Sequence, residues 1–259
     1  MKKIYKYDGG EWIDLHSPTQ NEVQEVALAT GIDTSIADEL LSPSPKHKIQ
    51  FFDHHAFIVL HFPALNESEK NDAAYEIDFI LTKNLIITTH YERVRALEEF
   101  QPIEGTTAGV FYGILGELLE NFERKLSSVD HWMREIENKM FSGQEKHTIL
   151  ELSEISRHLI DFKKITAVYP ELFNALTESG TKLLGKKSEE LSRESFERFE
   201  KSRTKLEILA DTARELRETN NSLLSTKQNQ TMKTLTWVTI IATIIVGIAL
   251  VWVGLLAVK

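Results

Sequence analysis

The feature that most constrains this chain is its last apolar run. From Thr236 to Val258 the sequence TWVTIIATIIVGIALVWVGLLAV carries no charge. A helix of about 23 residues, rising about 1.5 Å per residue, spans roughly 35 Å, which is enough for the hydrocarbon core of a bilayer. Helices buried in soluble cores rarely stay apolar on every face for that length, so the run is expected to cross a membrane. Thr236, Thr239 and Thr243 can return their hydroxyls to the helix backbone or face neighbouring helices, and Gly247 and Gly254 permit close approach of backbones. Lys227 and Lys233 precede the run and Lys259 follows it, a positive-inside bias that places the upstream chain in the cytoplasm. The start, MKKIYKYDGGEWIDL, has lysines but no apolar stretch behind them, unlike a secretory signal. The expectation is a single-pass protein of the cell (inner) membrane with a cytoplasmic N-terminal domain and the lipid bilayer as a partner.

Upstream, the first hundred residues alternate short β-rich runs with short helical patterns. Strands are expected at Lys2 to Tyr7, Glu11 to Asp14, His47 to Phe52, Ala56 to Phe62, Tyr75 to Leu81 and Asn84 to His90. Ser17, Pro18 and Thr19 open one helix and Thr34 another, with Pro43 and Pro45 as stops. Asn66 to Asp72, NESEKND, reads as a polar acidic loop. After about residue 104 the texture changes to long helices. Ile114, Leu118, Phe122, Leu126, Val129, Met133, Ile136 and Met140 form one helical stripe, and Leu152, Ile155, Leu159, Phe162 and Ile165 a second, with a turn at Ser142 and Gly143 between them. A basic, glycine-marked loop, GTKLLGKK from Gly180, leads to the last helix.

In that helix Leu206, Leu209, Ala213, Leu216, Asn220 and Leu223 keep a seven-residue beat, with no proline beyond Pro170. It is expected to run unbroken into the membrane. Asn220 either fixes register and oligomer order or occupies a solvated or pore-facing position. The stalk stripe and the span together lack a partner inside one chain, so a homo-oligomer is expected. The fold class is thus α+β: a mixed α/β domain over 1–104, a helical hairpin over 105–185, a stalk helix over 186–235 and a transmembrane helix over 236–258.

Composition excludes several functions. Thirty basic against 39 acidic residues give a net charge of -9, which disfavours a nucleic-acid partner. With no cysteine there is no disulfide framework, thiolate zinc site or cysteine nucleophile. The adjacent His54 and His55 point to opposite faces of a strand and cannot chelate together. His16, His61 and His90 lack a helical i, i+4 histidine partner. The sequence also has no phosphate loop, serine elbow or dinucleotide fingerprint, and no enzyme is expected.

Three N-terminal stretches, WIDLHSPTQNEVQEVALATGID, ELLSPSPKHKIQFFDHHAFIVLHFP and ILTKNLIITTH, together with SLLSTKQNQTMKTLT before the membrane, resemble the CorA-type divalent-cation (magnesium) channels. In that family a W-I-D-L-x-x-P-T start and an N-x-x-M-K-x-L-T membrane entrance recur, and here Asn229, Met232, Lys233, Leu235 and Thr236 fall on the latter. The resemblance covers nearly all of residues 1 to 244. It departs at the outer end, where the family carries a Gly-Met-Asn filter and a second membrane helix. Alignment on Met232 and Lys233 puts Val253, Gly254 and Leu255 at the filter, and alignment on Thr239 to Ile244 puts Leu256, Ala257 and Val258 there. None offers the amide oxygen of an asparagine.

The resemblance implies a homo-oligomer, a pentamer, that transports Mg2+ or a related divalent cation. Asn229 would supply a ring of amides, Met232 and Leu235 a dry gate, and Glu218 a deeper ring of carboxylates. Regulatory cation would sit between Glu194 or Glu197 on the stalk and Glu67, Glu69 or Asp72 on a neighbour's acidic loop. The alternatives are a cation-sensing or accessory subunit that does not conduct alone, and a C-terminally anchored structural protein.

Overall fold

The structure is a computed structural model and describes residues 1–64, 74–102 and 105–257. Six strands, β1 (Lys2–Tyr7), β2 (Gly10–His16), β3 (Lys48–Phe51), β4 (His55–Pro63), β5 (Ala74–Thr82) and β6 (Leu85–His90), form one sheet in the order β1-β2-β6-β5-β4-β3. The β2–β6 pairing is parallel, and the rest are antiparallel hairpin or neighbour pairings. Gly10 lies where β2 leaves its turn against Asn84, and a Cβ there would meet the Asn84 carbonyl oxygen at 1.8 Å, so only glycine fits.

The helices are α1 (Gln20–Thr30), α2 (Thr34–Glu39), α3 (Arg95–Glu99), α4 (Thr107–Phe141), α5 (Thr148–Thr166), α6 (Tyr169–Ala175), α7 (Thr181–Leu184) and α8 (Lys187–Ala257), with a π-helical turn at Leu176–Gly180. Thr19 and Glu22 close α1 with a reciprocal capping box. The α4 stripe continues to Thr107, further than the periodic leucines alone suggest. The stretch expected as a loop from Gly180 is partly helical: Thr181–Leu184 makes one more turn before Gly185, at φ 88°, ends it. Thr177 and Thr181 bond back to carbonyls four residues earlier and so extend the helical path through this region.

The chain forms two compact units. The first holds Met1–His131 and Ser156–Ala210, and the second holds Trp132–Ile155 and the chain from Asp211. These units group residues across the chain order, because α4, α5 and α8 each contribute to both. In the first, the sheet is covered on both faces, which is why most of its strands read as continuous apolar runs. Val23 and Val26 of α1, Ile36 of α2 and Leu40 just after it pack with Ile13, Phe57, Val59, Ile80 and Ile87. On the other face Trp12, Ile58, Phe62, Phe79 and Ile86 meet Phe111, Leu115, Tyr169, Phe173 and Phe199. Tyr169, wholly buried, donates from its hydroxyl to the His61 carbonyl at 3.0 Å. Lys125 of α4 donates to the Pro63 carbonyl and sits 4.8 Å over the Tyr75 ring, and burial lowers its pKa to about 8.

Within the second unit, Met133, Ile136, Met140, Leu152 and Ile155 are buried together with Ala213, Leu216 and Asn220 of α8. The stalk stripe therefore finds its cover inside the chain. This corrects the expectation that it lacked one.

Candidate pore helix and cation sites

The α8 helix has no break between Lys187 and Ala257. Among the described residues it is the one helix long and apolar enough to cross a membrane, and its apolar window has none of its residues buried. Every residue from Ser225 to Ile248 is exposed. Glu218, Ser222, Ser225, Asn229, Met232, Thr236, Thr239 and Thr243 recur every three or four residues. That spacing aligns them in one stripe, mostly of small or polar side chains, which beyond Thr236 runs along a surface made largely of isoleucine, valine and tryptophan. The threonines take the first of the two roles open to them. Thr236 Oγ1 donates to the Met232 carbonyl at 2.9 Å, Thr239 Oγ1 to Leu235 at 2.8 Å, and Thr243 Oγ1 to Thr239 at 2.8 Å. Their hydroxyl oxygens keep lone pairs directed outward.

Met232 and Leu235 are 63% and 56% exposed. Glu218 and Asn229 are also exposed. The structure thus places all four pore candidates on the open surface of one helix, where no other part of the chain touches them closely enough to bury them.

Asn220 behaves otherwise. It is 1% exposed, accepts from Thr148 Oγ1 at 3.2 Å, and donates from Nδ2 to the Glu145 carbonyl at 3.1 Å. Both of its expected roles, setting oligomer register and facing solvent or pore, are corrected by this geometry. Its amide closes the turn between α4 and α5, whose backbone leaves a carbonyl in need of a donor. Two helical turns further, Lys227 Nζ bonds Glu145 Oε2 at 2.6 Å and the Gly143 carbonyl at 3.4 Å. The Lys227 ammonium holds the Glu145 carboxyl below its ordinary pKa. Sequence patterning gave no sign of this pair, because residues 82 apart share no periodicity.

Of the acidic candidates, Glu194 and Glu197 are exposed on α8. They line a shallow depression of about 360 Å³ with Glu189, Glu190, Lys186 and Arg193. Arg193 neutralises part of this charge by donating to Glu189 at 3.2 Å. Glu67, Glu69 and Asp72 lie outside the described residues. Among the described residues no three His, Asp or Glu side chains converge as metal ligands would.

The sheet carries a polar cluster that motif reading passed over, on the face covered by α1 and α2. His61 Nε2 lies 3.1 Å from Glu76 Oε2 and 2.9 Å from the Ser44 carbonyl, while its Nδ1 lies 3.3 Å from that of His47. Glu76 accepts the Ser44 backbone N–H. Next along the strand on the same face, Asp78 is buried and its Oδ1 has no partner. Burial, reinforced by the Glu76 charge, raises the Asp78 pKa to about 8. The β-period spacing of Glu76 and Asp78 was the available signal, hidden in a run that otherwise reads as apolar strand.

Comparison with known proteins follows the same lines as the fold. The model of the CorA-like Mg2+ transporter protein family matches residues 7–248. The cobalt/magnesium transport protein CorA of Thermotoga maritima is 23% identical over 90% of this chain and 68% of its own length. Among solved structures, full-length CmaX superposes with a TM-score of 0.75 at 14% identity, covering 87% of this chain and 72% of that one. The complete CorA magnesium transporter of Methanocaldococcus jannaschii gives 0.69 at 19%, covering 92% and 78%. A mixed α/β domain followed by long helices and a membrane-compatible helix is the fold these structures share with the chain. The chain belongs to the CorA-like Mg2+ transporter family.

Proposed function

We propose that this chain assembles with copies of itself around α8 and passes Mg2+ or a related divalent cation along the stripe from Glu218 to Thr243. The observation that carries the reading is the contrast within α8: its earlier stripe is buried by its own chain, whereas the polar stripe of the membrane half is left wholly open. The threonine hydroxyls already donate to their own helix, but a stripe of small and polar side chains on a membrane helix is where helices meet one another or water. A ring of copies supplies both. Asn229 then presents amides, Met232 and Leu235 form the dry constriction, and Glu218 attracts cation from the cytoplasmic side. The number of copies is five by resemblance, and the α/β domain lies in the cytoplasm. Glu194 and Glu197, with Glu67, Glu69 and Asp72 of a neighbouring copy, are the proposed regulatory carboxylates, a donor set suited to a hard cation. Function as a transporter leaves no role for an enzyme centre.

A second reading is favoured by the residues that either alignment puts at the filter, Val253 to Leu255 or Leu256 to Val258, none of which has an amide side chain: a cation-sensing or accessory subunit that does not conduct alone. Flux of Mg2+ into sealed proteoliposomes separates the two. Uptake that Asn229→Ala alters supports the channel. No uptake, with sealed vesicles and correctly inserted protein, overturns it.

A further inference from the structure

His47 and His61 are 14 residues apart in sequence and meet at the sheet. His61 lies on β4, paired with Glu76 of β5, and His47 immediately precedes β3. Their Nδ1 atoms are 3.3 Å apart, with the ring planes at 86°. His61 Nε2 lies 2.9 Å from the Ser44 carbonyl oxygen and 3.1 Å from Glu76 Oε2. Both oxygens are acceptors, so Nε2 holds the hydrogen and, in the neutral ring, Nδ1 is left with its lone pair. Burial and the neighbouring His61 lower the His47 pKa, against an opposing pull from Glu76, and favour a neutral ring there too.

Two imidazoles that face each other through Nδ1 either share one proton or bind one cation together. A spacing of 3.3 Å is long for a hydrogen bond, and it matches the roughly 3.3–3.4 Å between two nitrogens that each lie about 2.0–2.1 Å from a tetrahedral ion. A metal-binding histidine ordinarily donates its other N–H to a carboxylate or a carbonyl, which fixes the ring and makes the ligating nitrogen more basic. His61 has both. Glu76 is itself held in place, because its two oxygens accept the Ser44 backbone N–H at 2.9 and 2.8 Å. It therefore stands behind the ring as an orienting group, and its charge offsets part of that of a divalent ion. His61 also lines a cavity of about 370 Å³ with Pro43, Ser44, Tyr75, Tyr91 and Glu92, among others, which gives water access to the ring. Two nitrogens make an open site, and their chemistry selects a borderline ion such as Zn2+ or Co2+ over Mg2+, which prefers oxygen.

We propose that His47 and His61 bind one Zn2+ or Co2+ through their Nδ1 atoms, with Glu76 as a positioning residue behind His61 and water on the remaining coordination positions. The ion takes the place of the proton between the rings and pins residues 43–47 to β4 and β5. The site is separate from the proposed pore and from the proposed regulatory carboxylates, and binding to it needs neither assembly nor flux. The test uses the full-length protein in detergent micelles, with Mg2+ in large excess to occupy carboxylate sites. Zinc binding is followed by calorimetry, by the melting temperature and by zinc X-ray absorption.

One ion per chain is expected, with two imidazole nitrogens at about 2.0–2.1 Å and a melting temperature raised by zinc. His47→Ala and His61→Ala should each abolish this binding and the thermal shift. His47 is partly exposed and lies before the strand, so its variant keeps the test decisive if His61→Ala disturbs the sheet. Glu76→Gln should keep both imidazoles in the spectrum while weakening affinity about 10- to 100-fold. His147→Ala, at an exposed histidine of the α4–α5 turn, should bind as the parent does. The proposal is overturned by a parent protein that takes up no zinc, by binding that excess Mg2+ abolishes, by one ion per chain retained in His47→Ala, or by a spectrum without a second imidazole. Unchanged affinity in Glu76→Gln overturns the positioning role of Glu76.

Discussion

The two halves of α8 share one backbone and differ in what surrounds them. Up to Leu224 the helix shows an alternation of buried and exposed positions: Phe199, Leu206, Leu209, Ala213, Leu216 and Asn220 are all shielded. From Ser225 to Ile248 every side chain is open. The first half is held by its own chain, and its stripe is a core stripe. Among the described residues the second has nothing in the chain to cover it, and the proposed function assigns that cover to lipid and other copies. An apolar stripe on a stalk is therefore poor grounds for expecting an oligomer, and an uncovered polar stripe on a membrane helix is good grounds.

Substitutions can sharpen this contrast. Phe199→Ala, in the covered half, should cost about 3–5 kcal/mol, read as a large drop in melting temperature of the purified protein. Met232→Ala should leave stability within about 0.5 kcal/mol of the parent and show its effect in flux alone. Equal destabilisation by both would break the distinction.

Titration gives the next largest effect. Asp78 is held protonated by burial, its folded pKa about 8 against 3.8 for the ordinary group. The unfolded chain gives up this proton first, so the contribution to stability is full below about pH 4 and falls as pH rises toward 8, by at most about 1.4 kcal/mol for each pH unit. Asp78→Asn should flatten that slope and stabilise the protein at neutral and mildly alkaline pH. Denaturant melts across this range check it, and an unchanged slope would place Asp78 in contact with water.

A paired comparison of asparagines comes next. Asn220→Ala removes a buried amide that serves both Thr148 and the Glu145 carbonyl, and should cost about 1–3 kcal/mol with faster hydrogen exchange at the α4–α5 turn. Asn229→Ala, the same change on the open half, should cost almost nothing in stability while altering cation flux. The smallest effect is that of Lys227→Gln, which strands the Glu145 carboxylate and should lose about 1 kcal/mol. Most of this should return in the double variant with Glu145→Gln, as measured by a double-mutant cycle.

These contrasts also mark what the sequence could reveal. Local rules located each strand of the sheet, because β-branched runs bounded by Gly, Pro and Asn carry their own signal, and Ser17, Pro18 and Thr19 announced α1. The one helix long and apolar enough to cross a membrane was legible from length and charge alone. The short α3 and α6 were not, since five to seven residues hold too little periodicity. Asn220 was misread for another reason. Its heptad position is visible in sequence, but the partner that decides its role comes from a turn 75 residues away. The same applies to Lys227 with Glu145 and to Asp78 beside Glu76, where burial, a tertiary property, decides the chemistry.

The central claim is that copies of α8 meet along the stripe of its membrane half. In this cysteine-free chain, cysteines placed singly at positions 222, 225, 229, 232 and 236 and oxidised in native membranes should yield cross-linked copies, with position 220 remaining unlinked. Cross-links absent from all five stripe positions, or strongest at 220, would contradict it.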